Sequence, residues 1–294
     1  MLKIAHLSDL HFSKVTYHPS QFFSKRWLGN LNLIFSRRKG HSVAQLDEIA
    51  NILIKEKADI AFITGDLSTT SRPEEFEGAK RWIDGLKKAG IKTIVLPGNH
   101  DHYTKSSYKK KLFYDYFINE DFPYLLPDQA RSLKSEKIEA VKLSDHWQCI
   151  SLDAVIPTSL WASTGLFSKE MEKALLSALE KLPSDKNTII LCHFPYFCTD
   201  TLRKQLIGRE RLKKILEDYP IKLYLHGHTH NQTLASLYPE LPNTLDSGSS
   251  SHVKDGSFHL MELQEDRASV TVYVHRSKSW QIEKKANFSF EELD

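Results

Sequence analysis

The chain has 294 residues, 40% of them hydrophobic, and this length allows a large buried core within one domain. Its 40 basic and 37 acidic residues nearly cancel, so the charge balance argues against nucleic acid as the ligand. Neither a secretory signal nor an apolar run long enough to cross a membrane is present, and the odd number of cysteines suits a reducing compartment. We therefore expect a cytoplasmic protein folded as a single domain over residues 1–294.

Short apolar runs rich in Ile and Val recur along the chain, and each leads into a polar turn. These runs are too short for helices and fit buried strands. The predicted strands are Ile4–Leu7, Ile60–Thr64, Thr93–Leu96, Ile150–Leu152, Thr188–Cys192 and Lys222–Leu225.

Helical patterns lie between several of these strands. Ser42 precedes apolar residues at helical spacing and is expected to cap that helix. Pro73 fits the first turn of a second helix that ends near Lys88. Ser168 is expected to cap a third helix over about residues 169–182. The alternation of strand and helix predicts an α/β protein.

The C-terminal part of the chain has a different pattern. Gly256–Leu263 and Ala268–His275 are typical of two adjacent strands. A tail follows at about residues 278–294, and its Phe288 and Phe290 indicate that it docks onto the body of the protein.

One segment departs from the average composition. Residues 14–46 include no acidic residue, while six basic residues alternate with aromatic and aliphatic ones. This basic aromatic insert, at about residues 14–41, is typical of an amphipathic element against the inner face of a membrane or over a lipid. The alternative is that its apolar side chains fold back onto the core under a basic outer face. Candidate contact residues of the first interpretation are Trp27, Arg37 and Arg38.

Asp, His and Asn side chains follow five of the predicted strands, where α/β sheets build their ligand sites. Taken singly, each motif is more often a turn, a cap or a hydrogen-bonded structural residue. However, the recurrence of Asp, His and Asn after successive strands would hardly arise by chance. The spacing of Asp9 and His11 predicts that both point the same way from an extended segment. The motifs are Asp9-Leu10-His11, Gly65-Asp66, Gly98-Asn99-His100-Asp101, His193 and Gly227-His228-Thr229-His230.

This set of motifs resembles the calcineurin-like metallophosphoesterase superfamily, whose sequence blocks are matched between Asp9 and His230. The resemblance implies a four-layer α/β/β/α sandwich, with helices outside two mixed β-sheets and a metal site at the C-terminal strand ends. It also implies a hydrolase of phosphoric ester or anhydride bonds. Among bacterial members, the motifs are similar to those of cyclic-nucleotide phosphodiesterases and UDP-2,3-diacylglucosamine pyrophosphatases.

The resemblance further implies a centre of two divalent metal ions. Asp66 would bridge both, because its two carboxylate oxygens can reach two cations. The neutral imidazole and amide ligands suit Mn, Fe, Zn or Ni. The other ligands would be Asp9, His11 and His230 for one ion, and Asn99, His193 and His228 for the second.

The implied reaction uses a water that bridges the two ions and loses its proton readily. The resulting hydroxide would attack phosphorus in line. His100 is similar to the family histidine that lies beside the metals without binding them, and it would protonate the leaving oxygen. Asp101 would orient the His100 imidazole.

Four further histidines need a separate interpretation. His6, His102 and His226 are expected to be buried or hydrogen-bonded structural residues. His252 follows a turn of small residues, 247–249, that lies near the metals in this family, so His252 is a candidate for substrate contact.

Two substrate interpretations remain open. A small phosphodiester needs only a compact pocket over the metals. A UDP-linked, two-chained lipid at a membrane would explain the basic aromatic insert. A non-catalytic scaffold on the same fold is an interpretation of another class, disfavoured because every ligand position and His100 are present.

Overall fold

The computed structural model describes residues 1–14, 40–126, 132–159, 162–198, 201–237 and 239–290. Most of the basic aromatic insert, including Trp27, Arg37 and Arg38, lies outside these residues. Among the described helices, none combines the length and the apolarity that crossing a membrane requires.

Strands and helices alternate through most of the described chain. The helices are α1 (Val43–Lys55), α2 (Pro73–Lys88), α3 (Lys105–Lys110), α4 (Ser132–Ser135), α5 (Lys169–Lys181) and α6 (Arg209–Asp218), with 3₁₀ turns at Leu112–Asp115 and Leu202–Lys204. The strands are β1 (Leu2–Leu7), β2 (Ile60–Ile63), β3 (Lys92–Val95), β4 (Ile138–Lys142), β5 (Trp147–Leu152), β6 (Gly165–Leu166), β7 (Asn187–Cys192), β8 (Leu206–Ile207), β9 (Ile221–His226), β10 (Thr233–Ala235), β11 (Asn243–Asp246), β12 (Ser257–Leu263), β13 (Arg267–Arg276) and β14 (Ser279–Ser289).

Two six-stranded sheets carry the fold. The first has the strand order β14-β13-β12-β1-β2-β3, and the second has the order β10-β11-β9-β7-β5-β4. In the first sheet β1, β2 and β3 are parallel, and β12, β13 and β14 run antiparallel to their neighbours. In the second sheet the four central strands are parallel, and β4 and β10 are antiparallel edges. The predicted α/β class with two mixed sheets is confirmed.

The two sheets pack face to face because successive side chains of a strand point to opposite sides. Leu191 of β7 and Leu223 of β9 lie in one buried cluster with Ile4 of β1, between the sheets. Their neighbours Ile190 and Tyr224 lie in a second cluster, to which α5 and α6 contribute. Helices therefore cover the outer face of the second sheet, and its carboxyl strand ends meet those of the first.

The helices begin where the sequence predicts, with one difference in detail. Ser42 precedes α1, but its side chain accepts no capping hydrogen bond, and its backbone N–H donates to the carbonyl of Ser251. Pro73 begins α2, and Glu75 accepts hydrogen bonds from two backbone N–H groups just before the helix. Ser168 caps α5 as predicted.

The predicted C-terminal tail is a strand over most of its length. β14 pairs antiparallel with β13 from end to end, with one bulge. Phe288 and Phe290 pack against the core between the sheets, and the Phe290 ring centroid lies 5.6 Å from that of Trp147. The two phenylalanines thus hold the end of the described chain against the body.

Candidate metal centre

Side chains from the ends of β1, β2 and β9 form the first group of the site. Asp9, His11, Asp66 and His230 offer ligand atoms that all lie within 4.8 Å of one another. His230 Nε2 lies 2.9 Å from Asp9 Oδ1 and 3.4 Å from His11 Nε2. Nitrogen and carboxylate donors that surround one point suit a single divalent cation.

Side chains after β3, β7 and β9 form the second group. His193 Nε2 lies 3.2 Å from Asn99 Oδ1 and 3.6 Å from Asp66 Oδ2. His193 Nδ1 donates to a main-chain carbonyl at 2.7 Å, which fixes the ring with Nε2 toward Asp66. The His228 ring centroid is 5.1 Å from that of His193, and its Nε2 donates to the carbonyl of Lys204 at 3.0 Å. That bond leaves Nδ1 as the nitrogen of His228 that could reach a cation.

Asp66 lies between the two groups and faces both with the same oxygen. Its Oδ2 is 4.0 Å from His11 Nε2 and 3.6 Å from His193 Nε2. Its Oδ1 accepts a hydrogen bond of 2.7 Å from the backbone N–H of His100. Oδ2 of Asp66 therefore faces both groups, while the His100 backbone engages Oδ1.

The donor chemistry of the site fits divalent cations. Asp9 Oδ1 is buried and lies 2.9 Å from His230 Nε2. Burial alone would raise the pKa of Asp9, but the neighbouring His230 and His11 outweigh burial and hold this pKa well below its usual range. Burial lowers the pKa of His193 and of His228, so both rings favour the neutral form that binds metal.

Five of the candidate metal ligands have left-handed backbone conformations. The φ angles are 54° at Asp9, 48° at His11, 54° at Asp66, 71° at His228 and 61° at His230. Such values are uncommon outside glycine, although Asp and His tolerate them better than most residues. The predicted extended segment through Asp9 and His11 is therefore wrong: β1 ends at Leu7, and two left-handed residues turn both side chains inward.

Two glycines of the motifs are needed for close approach between segments. A Cβ on Gly98 would lie 2.2 Å from Asp66 Oδ1. A Cβ on Gly227 would lie 1.8 Å from Ser8 Oγ and 2.6 Å from Asp9 Oδ2. Each glycine thus makes room for a carboxylate that belongs to another strand end.

His100 and Asp101 have different neighbours from those the sequence suggested. His100 Nδ1 donates to the Thr69 carbonyl at 2.8 Å, and its ring stacks on Tyr103 with centroids 5.5 Å apart. The Asp101 carboxylate instead accepts hydrogen bonds from the backbone N–H groups of residues 67, 68 and 98 and from the Ser68 hydroxyl. The expected orientation of His100 by Asp101 is therefore wrong, since Asp101 joins the loops after β2 and β3.

His41 is a residue of the site that the sequence analysis missed. Its ring centroid lies 4.7 Å from His11, and its Nδ1 is 2.8 Å from Ser251 Oγ. Beyond His41, the ring centroid of His252 lies 5.7 Å from that of His41, and His252 Nδ1 lies 3.6 Å from Asp255 Oδ2. No sequence motif marks His41, because it reaches the site only through pairing of residues 40–42 with the 251–253 loop.

The three histidines expected to be structural are buried. His6 Nε2 lies 3.1 Å from Thr64 Oγ1, and His226 Nδ1 lies 2.9 Å from a main-chain oxygen. His102 lies among the rings of residues 108, 113 and 114, and neither of its ring nitrogens has a hydrogen-bond partner among the described residues. None of the three is within the ligand groups.

Two mixed sheets with an Asp/His cluster at their joined strand ends define a binuclear metallohydrolase. A sequence model of the calcineurin-like phosphoesterase family matches residues 2–232, and the chain belongs to this family. Its Asp/His cluster suits divalent cations, as expected for a metal-dependent hydrolase of phosphoester bonds.

Two sequence relatives and one solved structure illustrate the similarity. The 3′,5′-cyclic-nucleotide phosphodiesterase of Nostoc sp. is 26% identical over 182 residues, which are 61% of this chain and only 58% of that enzyme. The glycerophosphodiester phosphodiesterase GpdQ of Enterobacter lignolyticus is 24% identical over 236 residues, 79% of this chain and 72% of that protein. A dimetal phosphatase from Danio rerio superposes with a TM-score of 0.64 at 12% identity, covering 99% of both chains, and so shares the fold.

The close approach at Gly98 predicts the effect of Gly98→Ala. The added Cβ must displace the Asp66 carboxylate, so we expect metal content and activity to fall by at least roughly tenfold. Metal content is measured by plasma mass spectrometry after dialysis. Gly85→Ala is the matched control, because a Cβ there meets nothing within 4 Å in α2. If Gly98→Ala retained the metal content of that control, the packing of Asp66 against this glycine would be irrelevant to binding.

Buried His102 predicts a contribution to stability at acid pH. Burial lowers the pKa of His102 from the ordinary 6.5 to about 4, so stability present above pH 6.5 is lost as the pH falls toward 4. At pH 5 the loss is on the order of 2 kcal/mol. Between pH 7.5 and pH 5, the free energy of unfolding should fall by about 2 kcal/mol less in His102→Phe than in the parent protein. Urea unfolding with metals chelated measures this difference.

The exposed His146 provides the control for this comparison. His146→Asn should keep the pH dependence of the parent protein. Identical pH dependence in His102→Phe and the parent would show that His102 is not the group that titrates on unfolding.

Proposed function

We propose that the cluster is the active site of a phosphodiesterase and that its ligands form two groups around Asp66. The proposal depends on Asp66 Oδ2, which lies 4.0 Å from His11 Nε2 and 3.6 Å from His193 Nε2. With imidazole nitrogens on both sides, this oxygen would be a ligand common to both ions. The groups are Asp9, His11 and His230 for one ion, and Asn99, His193 and His228 for the other.

His100 is proposed as the proton donor to the leaving oxygen. When bound, the two ions supply an activated water and neutralise charge on the phosphate. The Thr69 carbonyl can only accept, so Nδ1 of His100 keeps its proton and Nε2 is the nitrogen that exchanges one. The His100 ring lies 5.1 Å from the His11 ring, beside the first group of ligands. Asp101 supports this arrangement indirectly, through the loop that carries Asp66.

The proposed substrate is a small phosphodiester. Both sequence relatives named above are phosphodiesterases, one for cyclic nucleotides and one for glycerophosphodiesters. His41 lies against the first ligand group, and His252 lies beyond His41. In this proposal His41 and His252 contact the part of the substrate that extends away from the phosphate.

A lipid pyrophosphate substrate stays a prediction from the sequence. It depends on the basic aromatic insert, whose Trp27, Arg37 and Arg38 lie outside the described residues. The prediction of peripheral contact with a membrane depends on the same insert.

The proposed roles of His100 and Asp66 predict different effects when each residue is substituted. His100→Ala should keep both metals and lower turnover by roughly 10²–10⁴-fold, because general acid catalysis is lost. Asp66→Asn should lower metal content and turnover together, because the shared oxygen loses its charge. Turnover is measured alongside metal content on the same samples. Parent-like turnover of His100→Ala, or parent-like metal content of Asp66→Asn, would contradict the assigned role.

The substrate class is tested with three compounds side by side on manganese-loaded protein. They are cyclic AMP, bis(p-nitrophenyl) phosphate and UDP-2,3-diacylglucosamine. We expect cleavage of the two diesters and little release of UMP from the lipid. Faster cleavage of the lipid than of either diester would replace the small-diester proposal with the lipid one. Cleavage of none, with two metals bound, would contradict both.

A further inference from the structure

A pocket opens between the edge strands of the two sheets, on the side formed by β3 and β4. β3 ends the first sheet, and β4 ends the second. The pocket has a volume of about 270 Å³ and contains none of the proposed metal ligands. It is therefore separate from the metal centre.

The wall of this pocket combines apolar and polar side chains. Val95, Phe117 and Leu133 belong to the core between the sheets, and Ile118 is half-buried beside them. An apolar cavity of roughly 150 Å³ can accept benzene, so this pocket has room for a ring with a short substituent. The mixed lining suits a small organic molecule that has an apolar part and one polar group.

A buried carboxyl group faces this apolar space. Glu139 of β4 is only 2% exposed and points between the sheets, because its neighbours Ile138 and Ala140 lie in the cluster on the other side. Its Oε2 accepts a hydrogen bond of 2.8 Å from Asn119 Nδ2. Among the described residues no donor reaches Oε1, although Glu139 lines the pocket.

The partner of Glu139 is itself fixed. Asn119 Oδ1 accepts from the backbone N–H of Val95 at 2.8 Å, and its Nδ2 also approaches the Val95 carbonyl at 3.3 Å. Asn119 thus occupies the open edge of β3. Its amide group cannot turn to donate a hydrogen bond to Glu139 Oε1 as well. Oε1 is therefore open to the pocket, where a donor on a bound molecule could reach it.

We propose that this pocket is a second ligand site, which takes a small primary amine attached to an apolar ring or chain. The ammonium group would donate to Glu139 Oε1, and the apolar part would fill the space beside Phe117 and Leu133. Burial raises the pKa of Glu139 to about 7, and a bound cation favours its ionised form. At the rim, Lys134 lies 3.6 Å from the Asp115 carboxylate, which offsets its charge.

The test compares benzylamine with benzyl alcohol on the full-length, metal-loaded protein by isothermal titration calorimetry. We expect one benzylamine per chain, bound at least tenfold more tightly than the uncharged analogue. Glu139→Gln should remove most of that preference, since it keeps the shape and loses the charge. Ile118→Trp, which fills the pocket, should abolish binding of both compounds. Circular dichroism confirms that each variant is folded.

Asp115→Asn is the matched control, because this carboxyl group is at the exposed rim. It should change benzylamine affinity by less than about twofold. An equal loss of benzylamine affinity in Asp115→Asn and Glu139→Gln would indicate unspecific electrostatic attraction and would overturn the proposal. The absence of saturable benzylamine binding to the parent protein would also overturn it. Binding that survives Ile118→Trp and disappears with chelator would place the amine on the metals instead. Because no substrate is used, these outcomes are independent of the phosphodiesterase assay.

Discussion

Two buried carboxylates, Asp9 and Asp66, follow the ends of adjacent parallel strands, with imidazoles on both sides of Asp66. A buried charge costs several kcal/mol unless opposite charge compensates it. His230 and His11 offset part of the charge on Asp9, whereas the imidazoles of His193 and His228 favour the neutral form. Divalent cations would supply the remaining compensation, and metal binding would therefore be coupled to the stability of the strand ends.

The carboxylates stay in place because neighbouring segments bind their backbone. Ser249 Oγ donates to the Asp9 carbonyl at 2.9 Å, and the backbone N–H of Ser250 donates to the Ser8 carbonyl at 2.9 Å. The Asp101 carboxylate similarly binds the loop after Asp66. These bonds hold left-handed conformations that are otherwise unfavourable, which is how strained backbone persists at functional sites.

The sequence predicted which residues meet, since each ligand follows an apolar strand and the ends of parallel strands share one edge of a sheet. It did not predict how they meet. The left-handed turn at Asp9, the position of Asp66 Oδ2 between two imidazoles and the bonding of Asp101 to Ser68 depend on contacts between distant segments. His41 was missed because its position depends on pairing with the loop at residues 251–253.

One oxygen of Asp66 is proposed to join two metal ions. Diffraction from crystals of zinc-loaded protein, recorded at the zinc absorption edge, can test this arrangement. We predict two anomalous peaks about 3.5–4 Å apart, both about 2.0–2.2 Å from Asp66 Oδ2. A single peak, or two peaks that contact different oxygens of Asp66, would contradict this account.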